Sequence, residues 1–452
     1  MNQKNSRAYL FETKPIPKAV MELSLPMVVT SLVMVVYNLA DTFFVGMLND
    51  PVQNAAVTLV YPVMLAFNAV NNLFGVGTSS MMSRSLGRGD HEMVRTSSAF
   101  GFFGAVFSGM AFALLCTLFR NPLMALLGAD ATTWNATSNY MFWTVTCGAM
   151  PAILNVVQAQ MVRAEGASLH ASIGTMSGCI LNIILDPIFI LPWGLNMGAA
   201  GAGLATFLSN CVACCYFFAL ARVKKGNTFI CLDIRKLKNL SKDVVFGILG
   251  VGVPASIQNL LNVTGSTILN NFTAVYGASA VAAMGVSHKV NMLPMQICLG
   301  FSQGIMPLVS YNYASGNRKR MRDSILFAMG IILPAMTLVT VGYWFGAPNL
   351  IRMFMDNAEI LAYGSAFLRG MCLGLVFLCM DFMAVGVFAS IGKGTYSLTF
   401  AILRKVVLEI PLLFALNALF PLYGLAYAQC ITECILAIAA VVMLIRIFKN
   451  KA

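Results

Sequence analysis

The run SLPMVVTSLVMVVYN, Ser24 to Asn38, decides the fold, because the chain writes a variant of it again as GVPASIQNLLNVTGS, Gly252 to Ser266. The prolines of the two copies, Pro26 and Pro254, lie 254 − 26 = 228 residues apart. Further along, GRGDHEMVR (Gly87 to Arg95) parallels ASGNRKRMR (Ala314 to Arg322), and Gly89 and Gly316 are 316 − 89 = 227 apart. The register barely drifts between these landmarks. Two like halves in one orientation are related by an axis along the membrane normal, a recurrent plan of secondary transporters.

Composition places those halves in a bilayer. Of 452 residues, 58% are hydrophobic and 10% are charged, where a soluble domain carries about 25%. Apolar runs recur from Val20 to Ile447, each long enough to cross a hydrocarbon core of about 30 Å. Twelve spans are predicted at 20–47, 53–79, 94–119, 134–162, 169–192, 200–221, 244–275, 279–309, 322–345, 360–390, 396–419 and 424–446. The expected fold class is an all-α polytopic membrane protein, with twelve transmembrane helices in two pseudo-symmetric six-helix lobes. The expected domains are an N-terminal lobe over 1–221, a hydrophilic linker over 222–243 and a C-terminal lobe over 244–452.

The net charge of +12 is a topology signal and not a nucleic-acid surface. Lys4, Arg7, Lys14 and Lys18 precede the first span. Arg84, Arg88 and Arg95 follow the second, and Arg163 follows the fourth. Seven more, including Arg222, Lys224 and Lys225, follow the sixth. Arg318 to Arg322 follow the eighth, Lys393, Arg404 and Lys405 flank the tenth-to-eleventh connection, and Arg446, Lys449 and Lys451 close the chain. The positive-inside rule then puts both termini in the cytoplasm of a multi-pass plasma-membrane protein. Arg120, Lys289, Arg352 and Arg369 are the exceptions. The basic N-terminus runs into an apolar stretch too long for a signal-peptide h-region, so no cleaved signal is expected. The 12 cysteines lie mostly inside apolar runs, as in NCVACCYF (Asn210 to Phe217), where small apolar filler explains them better than a thiolate metal site.

Five acids sit inside spans: Asp41, Asp186, Asp381, Glu409 and Glu433. An aspartate at a helix centre costs about 2.5–3.5 kcal/mol on insertion scales, so such residues face a cavity or a partner. Each either transports a charge or makes a polar contact between helices. Asp41 shares a helix face with Asn38 and Tyr37, and Asp186 with Asn182 one turn earlier. Pro187 removes a backbone donor beside Asp186, which bends the helix and frees a carbonyl. Carboxylate, amide and carbonyl together suit a proton or a sodium ion. Burial raises a carboxylic acid's pKa, so a gated group of this kind can carry a proton, and an organic cation competes for the same charge. The second half offers Gln258, Asn259, Asn262, His288, Lys289, Arg369, Asp381 and a Lys405–Glu409 pair at helical spacing, the last read as structural or snorkelled to the cytoplasmic rim. His288 is either a proton relay or a hydrogen-bonded helical histidine.

Two longer stretches carry a resemblance. NIILDPIFILPWGLNMGAAGAGLATFLSN (Asn182 to Asn210) and GFSQGIMPLVSYNYASGNRKRMR (Gly300 to Arg322), with LPMVVTSLVMVVYNLADTFFVG and LRKVVLEIPLL, resemble the signatures of multidrug and toxic compound extrusion (MATE) transporters over nearly the whole chain. Within the family the chain is most similar to the bacterial DinF/MepA-like branch. The resemblance implies the two-lobed fold with a central cleft, and export of amphipathic, mostly cationic compounds against inward H⁺ or Na⁺. It implies a coupling-ion site of Asp41, Asn182, Asp186, Thr206 and Asn155, with sodium, where used, held at Asp41, Asn182 and Asp186. Tyr37, Asn38, Met64, Asn68, Gln158, Gln258, Asn262, His288 and Asp381 are assigned to the substrate cleft. In the NorM branch the span-seven position of Asn262 is a glutamate, and Asp381 lies about one turn beyond that branch's span-ten aspartate. Coupling is therefore expected in the N-terminal lobe.

The expected partners are the lipid bilayer and small amphipathic substrates, for a protein acting as a monomer with no cofactor beyond the coupling ion. A lipid-linked precursor flippase of the same superfamily is the nearest alternative. It would need several central basic groups to hold phosphates, and the deep candidates are Lys289 and Arg369. A membrane-embedded enzyme is disfavoured because the 3 histidines build no nucleophile–base or metal constellation. A phosphate-binding glycine loop is missing, so ATP drive is not expected.

Overall fold

The computed structural model describes residues 8–224, 226–354 and 357–449. The basic residues Lys4, Arg7, Lys225 and Lys451 lie outside them. Every regular element among the described residues is helical. Lipid leaves no other open choice for a spanning segment, because each backbone donor and acceptor must be paired within the segment. The spans are α1 (Ile16–Gly46), α2 (Pro51–Gly87), α3 (His91–Leu118), α4 (Trp134–Cys147 and Ala149–Ala164), α5 (Ser168–Ile190) and α6 (Ala199–Val223). The second half holds α7 (Lys242–Ala274), α8 (Ala278–Ala314), α9 (Arg318–Arg352), α10 (Ala358–Cys372 and Leu375–Ser390) and α12 (Tyr423–Lys449) as candidate spans, with α11 (residues 394–419) a broken helical segment between the last two. Nine of these are single helices long and apolar enough to cross a membrane, and α4 and α10 are bent pairs. In α11 a π-helical segment, Leu403–Glu409, divides two short α-helices.

The repeat read from the sequence recurs in backbone detail. Gly89 and Gly316 both take positive φ, 74° and 80°, which glycine adopts without a Cβ penalty. Each is followed by a capping side chain: Asp90 accepts from Met93 N at 2.9 Å, and Asn317 from Arg320 N at 3.1 Å. The bend in α4 is 44° at Gly148 and that in α10 is 45° at Leu373 and Gly374, with 374 − 148 = 226.

Contacts divide the chain into two compact units. One is Val29–Ser256 with the described residues up to Thr13; the other is Lys14–Val28 with Ile257 onward. The first helix of each half is therefore shared out, its opening turns belonging to one unit and the remainder to the other. Within the first unit, the start of α7 packs on α2 so closely that a Cβ on Gly77 would meet Ile248 O at 2.4 Å, and one on Gly252 would meet Leu73 O at 2.0 Å. Within the second, a Cβ on Gly304 of α8 would meet Ser24 Cα of α1 at 2.5 Å. Gly77 and Gly304 are 227 apart, so the same small-residue contact is built in each unit. Without a hydrophobic drive between helices in lipid, such close approach supplies the packing.

The stretch 222–243 is pinned along the first unit. Thr228 Oγ1 donates to Glu165 Oε2 at 2.9 Å and Phe229 N to Glu165 Oε1 at 2.5 Å. Cys231 N donates to Ser98 Oγ at 2.9 Å, and Lys236 pairs with Glu92 at 2.5 Å.

Candidate functional site

Asp41 and Asp186 reach comparable depth by simple counting. Asp41 is five residues from the end of α1 and Asp186 four from the end of α5, which at about 1.5 Å per residue is roughly 6–8 Å. The sequence reading put Asp186 inside its span with a bend at Pro187. That is corrected here: Pro187 falls in the last turn, and α5 ends at Ile190 with Leu191 N bonded to Pro187 O at 3.3 Å. A proline this near the end costs one bond to Ile183 O and stops the helix instead of kinking its middle.

Asp186 is fully buried, and Asn182 nearly so. With its amide nitrogen toward the carboxylate, Asn182 donates to Asp186 Oδ2 at 2.9 Å while its oxygen accepts from Thr206 Oγ1 at 3.2 Å and Thr206 N at 3.0 Å. Tyr37 lies within hydrogen-bond range of Thr206, and its hydroxyl sees the charges of both Asp41 and Asp186. Asp41 and Asp186 also see each other. Asp41 Oδ1 and Asp186 Oδ1 are buried with no hydrogen-bond partner among the described residues. Helices α1, α5 and α6 thus bring Tyr37, Asp41, Asn182, Asp186 and Thr206 into one polar cluster.

Asn155 stands beside that cluster. Its Nδ2 donates to Asn210 Oδ1 at 3.2 Å, and Asn210 Nδ2 donates to Thr206 O at 2.9 Å. Two members escaped sequence reasoning. Asn210 entered the sequence reading only as the end of one quoted stretch and the start of another, although its spacing of four from Thr206 puts it on the same face. Tyr140 is buried within range of Asp41, Tyr37 and Asp186, and its hydroxyl points at Met64 Sδ, 3.6 Å away. No local pattern in WNATSNYM marks it.

The remaining cleft assignments scatter. Asn38 is exposed and bonds back to Met34 O at 2.8 Å. Asn68 is exposed and Gln258 half-buried. Gln158 lines a separate, mostly apolar pocket with Met161, Glu165, Phe217 and Thr228. Asn262 and His288 line a cavity of about 250 Å³ within the second unit, together with Arg404, Lys405, Glu409 and Glu433. Asp381 is buried behind it, paired with Arg404.

Of the two readings of the Lys405–Glu409 pair, structural or snorkelled to the cytoplasmic rim, the arrangement fits the structural one, and it places Arg404, expected to flank the tenth-to-eleventh connection, inside the second unit. Arg404 is 3% exposed. Its Nη2 contacts Asp381 Oδ2, and its Nε lies 3.2 Å from Glu433 Oε1. Lys405 pairs with Glu409 at 2.6 Å. The physical reason is the π-helical winding of Leu403–Glu409. Bonds from i to i+5 bring residues five apart onto one face, so Arg404 turns inward with Glu409. Among the described residues no group of three or more His, Cys, Asp and Glu is arranged for a metal ion.

Comparison with known proteins supplies an independent view. The MatE family model matches residues 26–188 and 254–415. The two matches begin 228 apart and end 415 − 188 = 227 apart, the offsets of the internal repeat. The chain is 32% identical to "Multidrug export protein MepA" of Staphylococcus aureus (strain MRSA252), over 97% of this chain and 96% of that protein. Its structure superposes with a TM-score of 0.91 on an outward-facing multidrug resistance MATE family transporter of the MOP superfamily, at 27% identity and covering 98% of each chain. A MOP superfamily transporter from Pyrococcus furiosus, described as having a binding pocket of reverse polarity, superposes at 0.90 with 26% identity, covering 98% of this chain and 99% of that one.

Proposed function

This chain belongs to the MatE family, and from that premise we propose that it is a secondary antiporter that exports small amphipathic, mainly cationic molecules from the cell in exchange for H⁺ or Na⁺. The observation that carries the reading is the pair of acids, half-buried Asp41 and buried Asp186, each with one buried oxygen without a hydrogen-bond partner among the described residues, in electrostatic range of each other inside one polar cluster. Two carboxylates in electrostatic range of each other favour taking up one positive charge. A proton or a sodium ion supplies that charge in one direction of the cycle.

Asn182 suits the site because its amide nitrogen donates to the carboxylate of Asp186 at 2.9 Å while its oxygen accepts from Thr206 N at 3.0 Å and Thr206 Oγ1 at 3.2 Å. The cargo competes for the site's charge state, and the protein opens to one side of the membrane and then to the other. Both termini lie in the cytoplasm, by the distribution of basic residues.

The test is efflux of a fluorescent cation such as ethidium from proteoliposomes, with ΔpH and ΔNa⁺ imposed separately. Wild type pumps under the gradient that couples; Asp41→Asn and Asp186→Asn do not. Equal pumping by wild type and both variants would overturn the assignment.

A further inference from the structure

The turn between α4 and α5 holds more chain than its own. α4 closes on Gly166 at φ 82°, with Gly166 N bonded to Arg163 O at 2.9 Å and Ala167 N to Val162 O at 3.3 Å, the paired bonds of a Schellman motif. Gly392 answers to it in the second half, 392 − 166 = 226, and takes φ 80°. The repeat thus carries the backbone of the turn, but not its side chains. Glu165, 3% exposed, accepts from Thr228 Oγ1 at 2.9 Å and Phe229 N at 2.5 Å, in the segment that leads into α7. At the same offset stands Ile391, whose side chain accepts nothing.

Gly166 seats the segment that leads into α1. Tyr9–Thr13 is a single π-helical turn of 5 residues, and so short a helix has no stability of its own. Leu10 is 6% and Phe11 1% exposed. A Cβ on Gly166 would lie 2.8 Å from Phe11 Cζ and 3.0 Å from Leu10 Cδ2, so the space a methyl would take is the socket that receives them. At an offset of 227 Phe11 answers to Lys238, which is exposed and unsuited to an apolar socket. The plug therefore belongs to α1 alone, the helix that carries Tyr37 and Asp41.

Three residues after Phe11 the chain changes unit. Residues up to Thr13 pack with the first unit, and Lys14–Val28 with the second. Lys14 O accepts from Arg320 Nη2 at 2.6 Å, its ammonium pairs with Glu22, and Ser24 lies against Gly304. The hold on the second unit is thus the whole opening of α1, and the hold on the first is one short turn. Phe11 and Lys14 stay within about 11 Å of each other even when the chain between them is extended. While the plug is seated, this tether limits how far the units part at the cytoplasmic end. A wider opening draws the weaker hold, the plug, out of its socket.

We propose that Leu10 and Phe11 form a releasable latch, seated at Gly166 while the protein is closed to the cytoplasm and withdrawn when it opens there to take cargo. The proposal rests on the exporter reading for the existence of these two states. A seated latch lowers the resting population of the cytoplasm-open state, and with it the apparent affinity for cargo from that side.

The test uses full-length protein in proteoliposomes with its cytoplasmic face outward. The outer buffer is kept at one pH, and ethidium uptake is driven by a proton or sodium gradient set from the lumen. Hydrogen exchange in the peptide covering Tyr9–Thr13 is read at rest and during uptake. In wild type its protection is expected to fall at least about tenfold during uptake. Gly166→Ala fills the socket. Gly316→Ala is its control, with the same backbone penalty at φ 80° and nothing within 4 Å of the added methyl. Against that control, Gly166→Ala is expected to leave Tyr9–Thr13 unprotected in both conditions and to lower the KM for ethidium about threefold. Equal protection at rest and during uptake in wild type overturns the proposal, as does a KM in Gly166→Ala equal to that of Gly316→Ala. If wild type takes up no ethidium under either gradient, the exporter reading falls. It falls alone if added ethidium still lowers the protection of Tyr9–Thr13, and the latch falls with it if the protection stays.

Discussion

Asn182 and Asp186 stand one helical turn apart on α5, and the amide nitrogen of the first lies 2.9 Å from Oδ2 of the second. Asn182→Leu strips that donor and leaves Thr206 without its partner. A buried polar group left unpaired costs about 1–3 kcal/mol, so the thermal midpoint falls. In an Asp186→Asn background the same change costs less, and a double-mutant cycle measures the difference.

Asp41→Asn mimics the protonated acid and keeps its shape. Coupled efflux is expected to fall at least about tenfold, about 1.4 kcal/mol of driving interaction, while melting in detergent stays near wild type. A large loss of stability would instead assign Asp41 to helix packing.

Arg404→Gln removes the one guanidinium that serves both Asp381 and Glu433. Breaking a buried pair in this way costs about 3–5 kcal/mol. The triple change Arg404→Met, Asp381→Asn and Glu433→Gln restores neutrality and is expected to recover most of the loss, read by thermal unfolding.

Gly77→Ala drives a methyl into Ile248 O, where the gap is 2.4 Å. Overpacking typically costs about 1–3 kcal/mol. Gly330→Ala on α9 meets nothing within 4 Å and is expected to be neutral or to gain slightly from helix propensity. Midpoints of the two variants, measured side by side, check the contrast.

Asp130 sits in the turn before α4, where hydrogen bonds from Thr132 and Thr133 hold its carboxyl down at about 2. A carboxylate whose folded pKa lies below its unfolded value near 3.8 stabilises the fold above that value and loses the contribution as pH falls toward 2. The protection of the Thr132 and Thr133 amides relative to an unfolded amide at the same pH is expected to fall between about pH 4 and pH 2. In Asp130→Asn that acid-dependent change is absent.

Much of the architecture was legible because it depends on local quantities. Twelve apolar runs, their lengths and their charged flanks are set by the bilayer's thickness and dielectric, and most span limits fall within about four residues of the helix ends, while those set at 79, 309 and 345 stop short of helices that run on to Gly87, Ala314 and Arg352. Pro26 and Pro254 disclosed the repeat, and the same offset reappears in the bends, the glycine contacts and the family match. The partnership of Asn182 with Asp186 was legible too, since helical spacing fixes which side chains share a face. Tyr140 and Asn210 were not, because they join the cluster from other helices.

The sequence by itself determined that this chain crosses a membrane many times, that it does so twice over, and that a few acids lie in its spans, since hydropathy and periodicity act residue by residue. Only the tertiary structure decided which acids pair with Arg404 or Lys405 and which gather instead among the uncharged polar groups of Tyr37, Asn182 and Thr206. That depends on the inward turn of Arg404 by a π-helical segment and on the meeting of helices distant in sequence.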